Sequence, residues 1–320
     1  SYADIPIYVM QRRWSGQSGV EADANPPNVS RGFTWTFRGR SQRLRIQIPM
    51  WLYTYYLARP RNSDYTVYLM DPFDEPVISA VASQLAKYAH RNRLSELETI
   101  DFVAAWIHSL EYVPDDVSTP YTNYPRYPIE TLVHRGGDCE DASILLASIL
   151  RALNYEVGLI LLPSHLQVGI VRSHSFPGTY YTFDGKRYYV LEATGDGWSV
   201  GEMPSDEEGK TGRVIPGTES PILIHRWSAH TNSNNCVSGS VIVTNLGNTV
   251  VNNGLVLLQF RTISGREAGV KMWSLDDSHP NETRSFEFKT KVNQISDVSG
   301  RVRIFLNGEL HDESTSPPSA

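Results

Sequence analysis

Cys139 is one of only two cysteines in this chain of 320 residues, and it stands where Gly136-Gly137 runs into a strongly apolar, helix-like stretch ending near Leu153. A thiol at a helix start lies near unpaired backbone N–H groups and the positive end of the helix dipole. Both favour thiolate over thiol. Further on, His165 opens one run of strand character and Glu192 lies in another. A thiol, an imidazole and a carboxylate in that order are the parts of an activated nucleophile: the thiolate attacks, the imidazole exchanges the proton, and the acid orients the imidazole.

Each residue also has a plainer reading. Cysteine packs well in cores, and nine histidines make one on a strand unremarked by itself. A glutamate is most often solvated. Against the plain reading of Cys139 stand its polar neighbours Asp138, Glu140 and Asp141. They create a tension of their own, because nearby carboxylates raise a thiol pKa. An imidazolium at His165 and the helix end have to outweigh them. Glu192 sits among aromatic and aliphatic residues, where an unpaired carboxylate is costly. Asp138, Cys139, Glu140, Asp141 and His165 are also a mixed set of metal donors. Zinc spacing such as CxxC or HExxH is absent, and consecutive residues at a helix start point apart. No metal and no cofactor is expected, and no phosphate loop or dinucleotide fingerprint occurs. Asp138 and Asp141 read as caps of the helix, with Arg126 and Glu130 as structural partners nearby.

The elements that must position these groups follow from periodicity. Gly32 to Arg45 reads as a hairpin turning at Gly39, with alternation in both arms. The aromatic segment Pro49 to Tyr56 reads as core packing. Asp74 to Arg91 is a helix, and a second starts at Ser95, whose capping box is completed by Glu98. Asp115 to Arg126 is a polar loop. The helix from Cys139 to Leu153 is apolar around so much of its surface that it belongs at the buried centre of a domain. Then the period falls to two. Val157 to Leu162, His165 to Arg172, Tyr180 to Phe183 and Arg187 to Ala193 read as strands, with a tight turn at Asp184-Gly185. His165, Gln167 and Gly169 share one face of their strand and Leu166, Val168 and Ile170 the other, and Tyr188, Val190 and Glu192 likewise share a face of theirs. In an antiparallel sheet His165 and Glu192 can therefore be neighbours pointing the same way. Ile222 to Trp227 is a last short strand, and His230 to Asn235 a polar linker. From Val237 the texture is all-β, with short alternating strands that suggest a small sandwich.

The block Tyr124-Pro125-Arg126-Tyr127-Pro128-Ile129-Glu130-Thr131-Leu132 followed by Gly136-Gly137-Asp138-Cys139-Glu140-Asp141 resembles the transglutaminase-like superfamily of papain-type thiol enzymes. It is similar in particular to a prokaryotic, largely archaeal branch carrying YPRYPxETL and GGDCED. The resemblance places the histidine motif on His165 and the acid motif on Glu192. The superfamily usually has Asp followed by Pro-Thr there, so the glutamate is a departure that lengthens the arm by one methylene. What the resemblance implies is an α+β fold: a transglutaminase-like, papain-like core with a central nucleophile helix on an antiparallel sheet, then an Ig-like β-sandwich. The implied activity is thiol-dependent acyl transfer on amide bonds by Cys139, His165 and Glu192. Hydrolysis of a protein or peptide substrate is the first expectation. Protein cross-linking, or a non-catalytic cell-surface binding or structural module, are the alternatives. A cell-envelope polymer held by the C-terminal domain is a further possible partner.

Composition sets the outer bounds. A hydrophobic content of 40% and a charged content of 20% describe a folded chain rather than a disordered one. A net charge of −6 and a pI near 5.9 argue against a nucleic-acid partner. The expected division is an N-terminal irregular segment and hairpin over 1–71, a catalytic core over 72–229 and a sandwich over 236–320. Cys139 and Cys236 lie in different parts and are not expected to pair. The sequons Asn28-Val29-Ser30 and Asn281-Glu282-Thr283 lean toward export. The chain begins at Ser1 without Met and ends in a Ser/Thr/Pro-rich tail. Both ends read as trimmed, consistent with an extracellular or cell-surface protein whose signal or anchor is gone.

Overall fold

The computed structural model describes residues 27–118, 124–173, 175–231, 236–262, 264–291 and 298–315. The expectations for 1–26, the middle of the 115–126 loop, the linker residues 232–235 and the tail beyond 315 fall outside these. The fold is mixed α+β, with several helices packed against sheets, one of which curls strongly into a half-barrel. The chain divides into two units. One comprises 25–57 and 64–219; the other gathers 58–63 with everything from 220 onward.

The first unit opens with a hairpin, β1 (Val29–Phe37) and β2 (Arg40–Ile48). Its alternation buries Phe33, Trp35, Leu44 and Ile46. Arg38 and Gly39 turn the chain, both with positive φ. Four helices follow: α1 (Met50–Leu57), α2 (Thr66–Leu69), α3 (Glu75–Arg91) and α4 (Glu96–His108). Ser95 accepts from the Glu98 N–H and Glu98 accepts from the Ser95 N–H, so the expected capping box starts α4. Phe33 and Trp35 pack on Trp106 and Phe102 of that helix. The aromatic segment is α1, and its buried Tyr56 stacks on Tyr127 with ring centroids 4.3 Å apart.

A short bridge then positions the thiol helix. β3 (Glu111–Tyr112) pairs in parallel with β4 (Gly136–Gly137) across α5 (Asp115–Ser118) and α6 (Pro128–His134). Glycine is required at both β4 positions. A Cβ on Gly136 would lie 2.3 Å from the Glu111 carbonyl oxygen, and one on Gly137 would lie 2.1 Å from the Asp141 carboxylate. α7 (Cys139–Ala152) follows at once. Its Ile144, Leu145, Leu146, Ile149 and Leu150 are fully buried, and it packs on β5 (Val157–Leu162) and β6 (His165–Arg172). With β7 (Tyr180–Phe183), β8 (Lys186–Leu191) and β9 (Arg213–Pro216), these strands form an antiparallel sheet in the order β7-β8-β6-β5-β9. Asp184 and Gly185 make the β7–β8 turn with positive φ at both residues.

The second unit holds β10 (Leu223–Thr231), β11 (Cys236–Asn245), β12 (Gly254–Thr262), β13 (Glu267–Ser274), β14 (Thr283–Lys291), β15 (Val298–Leu306) and β16 (Glu309–Thr315). They form two antiparallel sheets, β10-β11-β14 and β13-β12-β15-β16. Val241, Val243 and Phe288 from the first sheet share a core with Val256, Leu258, Val302 and Ile304 from the second. The division differs from the sequence reading at both ends. The hairpin belongs with the core unit, and β10 belongs with the C-terminal unit. Residues 222–227 therefore do not close the first sheet, and the boundary falls after Glu219 rather than at 229. A strand's own alternation does not say which sheet it joins.

His311 on β16 is 3% exposed, and its Nε2 accepts the Leu223 N–H at 3.0 Å. Burial and the charge of Arg59 push its pKa down from 6.5 to about 3. A histidine held neutral in the fold stabilises it above the ordinary pKa and loses that contribution as pH falls. The thermal midpoint of the C-terminal unit should therefore drop between pH 6.5 and about 3, each unit of depression being worth about 1.4 kcal/mol. His311→Gln keeps an acceptor for Leu223 and should flatten that limb of the pH–midpoint curve; an unchanged limb would assign it to other groups.

Candidate functional site

Asp141 organises the start of α7. It is 0% exposed, accepts the Arg126 N–H at 2.7 Å and is paired with the Arg126 guanidinium. It also accepts the Asp138 N–H at 3.3 Å, and Asp138 accepts the Asp141 N–H in return. The helix is thus capped by Asp138 and tied by Asp141 to the Tyr124–Tyr127 loop. Glu130 serves the preceding helix, α6, the same way, accepting the Tyr127 N–H at 3.0 Å. Burial and the carboxylates of Asp141, Glu140 and Asp115 push the Asp138 pKa up.

On the sheet, β6 and β8 pair from Arg172↔Arg187 to Val168↔Leu191. Beyond that point the backbone of Leu166 is engaged by α7. Its carbonyl accepts from Ser143 Oγ at 2.7 Å, and its N–H is directed at the Cys139 sulfur, where it favours the thiolate. The thiol therefore lies against the residue that follows His165 in the chain. The thiol hydrogen itself goes to Glu140 Oε2, 2.8 Å away, rather than to the imidazole. Burial first, and then the charge and hydrogen bond of Glu140, push the Cys139 pKa well above that of a free thiol.

Glu192 follows the end of β8 and is 1% exposed. Its carboxylate collects four donors: His165 Nε2 at 2.8 Å and Gln167 Nε2 at 2.6 Å on Oε2, and the Thr194 N–H at 2.8 Å and Oγ1 at 2.5 Å on Oε1. Its carbonyl is 2.9 Å from His108 Nε2 at the end of α4. Burial would raise the acid, but the bonds to His165 and Thr194 outweigh it and hold Glu192 at about 2. For His165 burial disfavours the cation. The hydrogen bond and charge of Glu192, helped by Glu207 and Glu140, more than reverse this and raise its pKa above 6.5. With Nε2–H donated to Glu192, Nδ1 is the nitrogen left to exchange a proton.

The period-two reading placed His165 and Glu192 on one face, and they touch. Cys139 and His165 are linked through Leu166 and through Glu140, whose charge acts on both. Gln167, Thr194 and His108 were given no role from sequence. Gln167 was legible in part, since it shares the His165 face, and continuing the β6–β8 register sets it opposite Glu192. Among the described residues no group of three or more His, Cys, Asp or Glu is arranged to hold a metal ion, and Cys139 and Cys236 are not joined by a disulfide.

No family model matches this chain, and no curated protein does. Among solved structures it is similar to β-glucosidase 3B from Thermotoga neapolitana at 8% identity, covering 34% of this chain and 17% of that one, with a TM-score of 0.22. It is similar to a putative β-galactosidase from Bacteroides fragilis at 12% identity, over 51% and 28% of the two chains, with a TM-score of 0.25. It is similar to red sea bream transglutaminase at 10% identity, over 91% and 62%, with a TM-score of 0.27. This chain thus spans less than two thirds of the length of each of these proteins, and likenesses of this size establish neither a shared fold nor a shared activity.

Two substitutions separate the contributions. Glu140→Gln removes the negative charge that helps hold the thiol protonated, so iodoacetamide alkylation of Cys139 near neutral pH should speed up by about tenfold for each pKa unit released. Unchanged alkylation would mean that burial alone sets the thiol. Glu192→Gln should lower the His165 pKa while keeping the fold, which imidazole proton chemical shifts followed against pH would show.

Proposed function

We propose that Cys139, His165 and Glu192 form a thiol acyl-transfer centre within a transglutaminase-like core, and that the C-terminal unit is an Ig-like sandwich appended to it. The observation that carries this reading is the buried Glu192 carboxylate, fixed by four donors of which one is the His165 imidazole, at the strand end docked against the Cys139 helix. A carboxylate buried at that cost serves to hold and charge an imidazole.

In this mechanism Nδ1 of His165 takes the thiol proton once Glu140 swings aside. The thiolate attacks an amide carbonyl of a protein or peptide, and the Cys139 N–H at the helix start supports the oxyanion. The amine leaves with the proton from His165. Water then resolves the thioester in a peptidase or amidase, or a second amine resolves it in a cross-linker. The exposed asparagines of both sequons, Asn28 and Asn281, support an exported protein. No helix among the described residues is long and apolar enough to cross a membrane.

A second reading has its own support. A thiol that donates to Glu140 and is pushed up by burial is at rest in its unreactive form. It suits a binding or structural module that keeps the architecture without catalysis.

A peptide thiol-ester substrate with a chromogenic leaving group separates the two. Under the first reading the protein forms an acyl adduct on Cys139, Cys139→Ala forms none, and Glu192→Gln is slower by about a hundredfold or more. Adding a primary amine then divides hydrolysis from transamidation by the product formed. Turnover that Cys139→Ala leaves intact, or no adduct on the folded protein, would leave the binding module.

A further inference from the structure

The C-terminal unit contains a second ordered set of chemistry-bearing side chains, remote in sequence from Cys139 and independent of the reading above. Asp312 Oδ2 lies 2.6 Å from His225 Nδ1, and His225 Nε2 lies 2.7 Å from Ser314 Oγ. We propose that Ser314 is a nucleophile activated by His225 and oriented through Asp312, acting on carboxylic esters.

The bonding order fixes the protons. Asp312 also neighbours Arg59, whose Nη1 is 3.9 Å from Oδ1, and its Oδ1 accepts the Glu313 N–H at 3.0 Å. Burial opposes its charge, but His225 and Arg59 together hold its pKa below the usual carboxylate range. An ionised Asp312 can only accept, so His225 carries a proton on Nδ1, and in the neutral imidazole Nε2 is bare. Ser314 must then donate its hydroxyl hydrogen to Nε2. Trp227 Nε1 donates to the same Oγ at 2.9 Å, which holds the oxygen in place with a lone pair still open. The His225 side chain is 2% exposed, so the imidazole is fixed, whereas Ser314 remains partly exposed.

Placement in the fold favours access. β10, bearing His225 and Trp227, is an edge strand of the three-stranded sheet, and β16, bearing Asp312 and Ser314, is an edge of the four-stranded sheet. The relay joins these two edge strands. An edge strand also offers outward backbone N–H groups, the kind of donor an oxyanion needs. A pin between sheets needs only two partners. This set adds a carboxylate, a fixed tautomer and a reachable hydroxyl in the order that serine acyl transfer uses.

The step balances without any further reagent. Ser314 Oγ bonds to the acyl carbon as its proton passes to His225 Nε2. The carbon–oxygen bond to the alcohol breaks, and the alcohol leaves with that proton. A water deprotonated by the same nitrogen then cleaves the acyl-serine, releasing a carboxylic acid and restoring Ser314.

The test uses the full chain carrying Cys139→Ala, so that failure of the thiol reading and failure of this one are separable. A fluorophosphonate probe should add once, at Ser314 by peptide mapping. Ser314→Ala should remove the adduct, and the folded His225→Gln protein should react at least tenfold more slowly. If His225→Gln does not fold, the Cys139→Ala protein itself decides: Ser314 should label at least tenfold faster than any other serine of the chain. No adduct at Ser314, labelling there no faster than at other serines, or a folded His225→Gln that labels at full rate would each overturn the proposal and leave a structural pin.

Discussion

The arrangement around α7 depends on one buried ion pair. Asp141 has no access to solvent, and it is held by the guanidinium and backbone N–H of Arg126 while also closing the capping box of the helix. Breaking such a pair from one side leaves a charge stranded in the interior, at a cost of about 3–5 kcal/mol. Everything near Cys139 inherits its position from this contact. Gly137 has no side chain because the Asp141 carboxylate occupies that space. The loop that supplies Arg126 also supplies Tyr127, which stacks on Tyr56 and packs with Tyr68. The helix start is thereby fixed to the helical layer at one end and to the sheet, through Ser143 and Leu166, at the other.

The site shows two carboxylates given opposite tasks by their surroundings. Glu192 is enclosed by donors and stays ionised, which sustains a charged imidazole at His165. Glu140 is only half-buried and takes the thiol hydrogen, which keeps the sulfur neutral. Burial alone does not decide the charge of a carboxylate; the number of donors that meet it does. One glutamate favours a charged imidazole and the other a protonated thiol.

Much of this arrangement was legible from residue types and spacing. The helix from Cys139, its acidic caps and the shared face of His165 and Glu192 all follow from periods of 3.6 and 2. The direction of the Glu140 side chain did not, because neighbouring residues at a helix start diverge and only the packed structure says which way each points. Thr194 and His108 were hidden for a different reason. Their bonds to Glu192 come from a loop and from the far end of another helix, and no local pattern records either. The domain boundary was missed because β10 alternates as the strands before it do, and its pairing with β11 is a property of the sheet rather than of the strand.

The grouping of residues 58–63 with the chain from 220 onward has a consequence for the order in which the protein is made. Residues that complete the core unit have all been synthesised once Glu219 is added, so that unit can close while the remainder is still being translated. The other unit begins with a short segment made early and held in waiting. Its Ser63 N–H and hydroxyl are bonded to Glu309, and β16 is the final strand of the described chain. That unit therefore closes only after β16 has been made, and a chain cut short within the strands before it would carry an assembled core and an unclosed sheet edge.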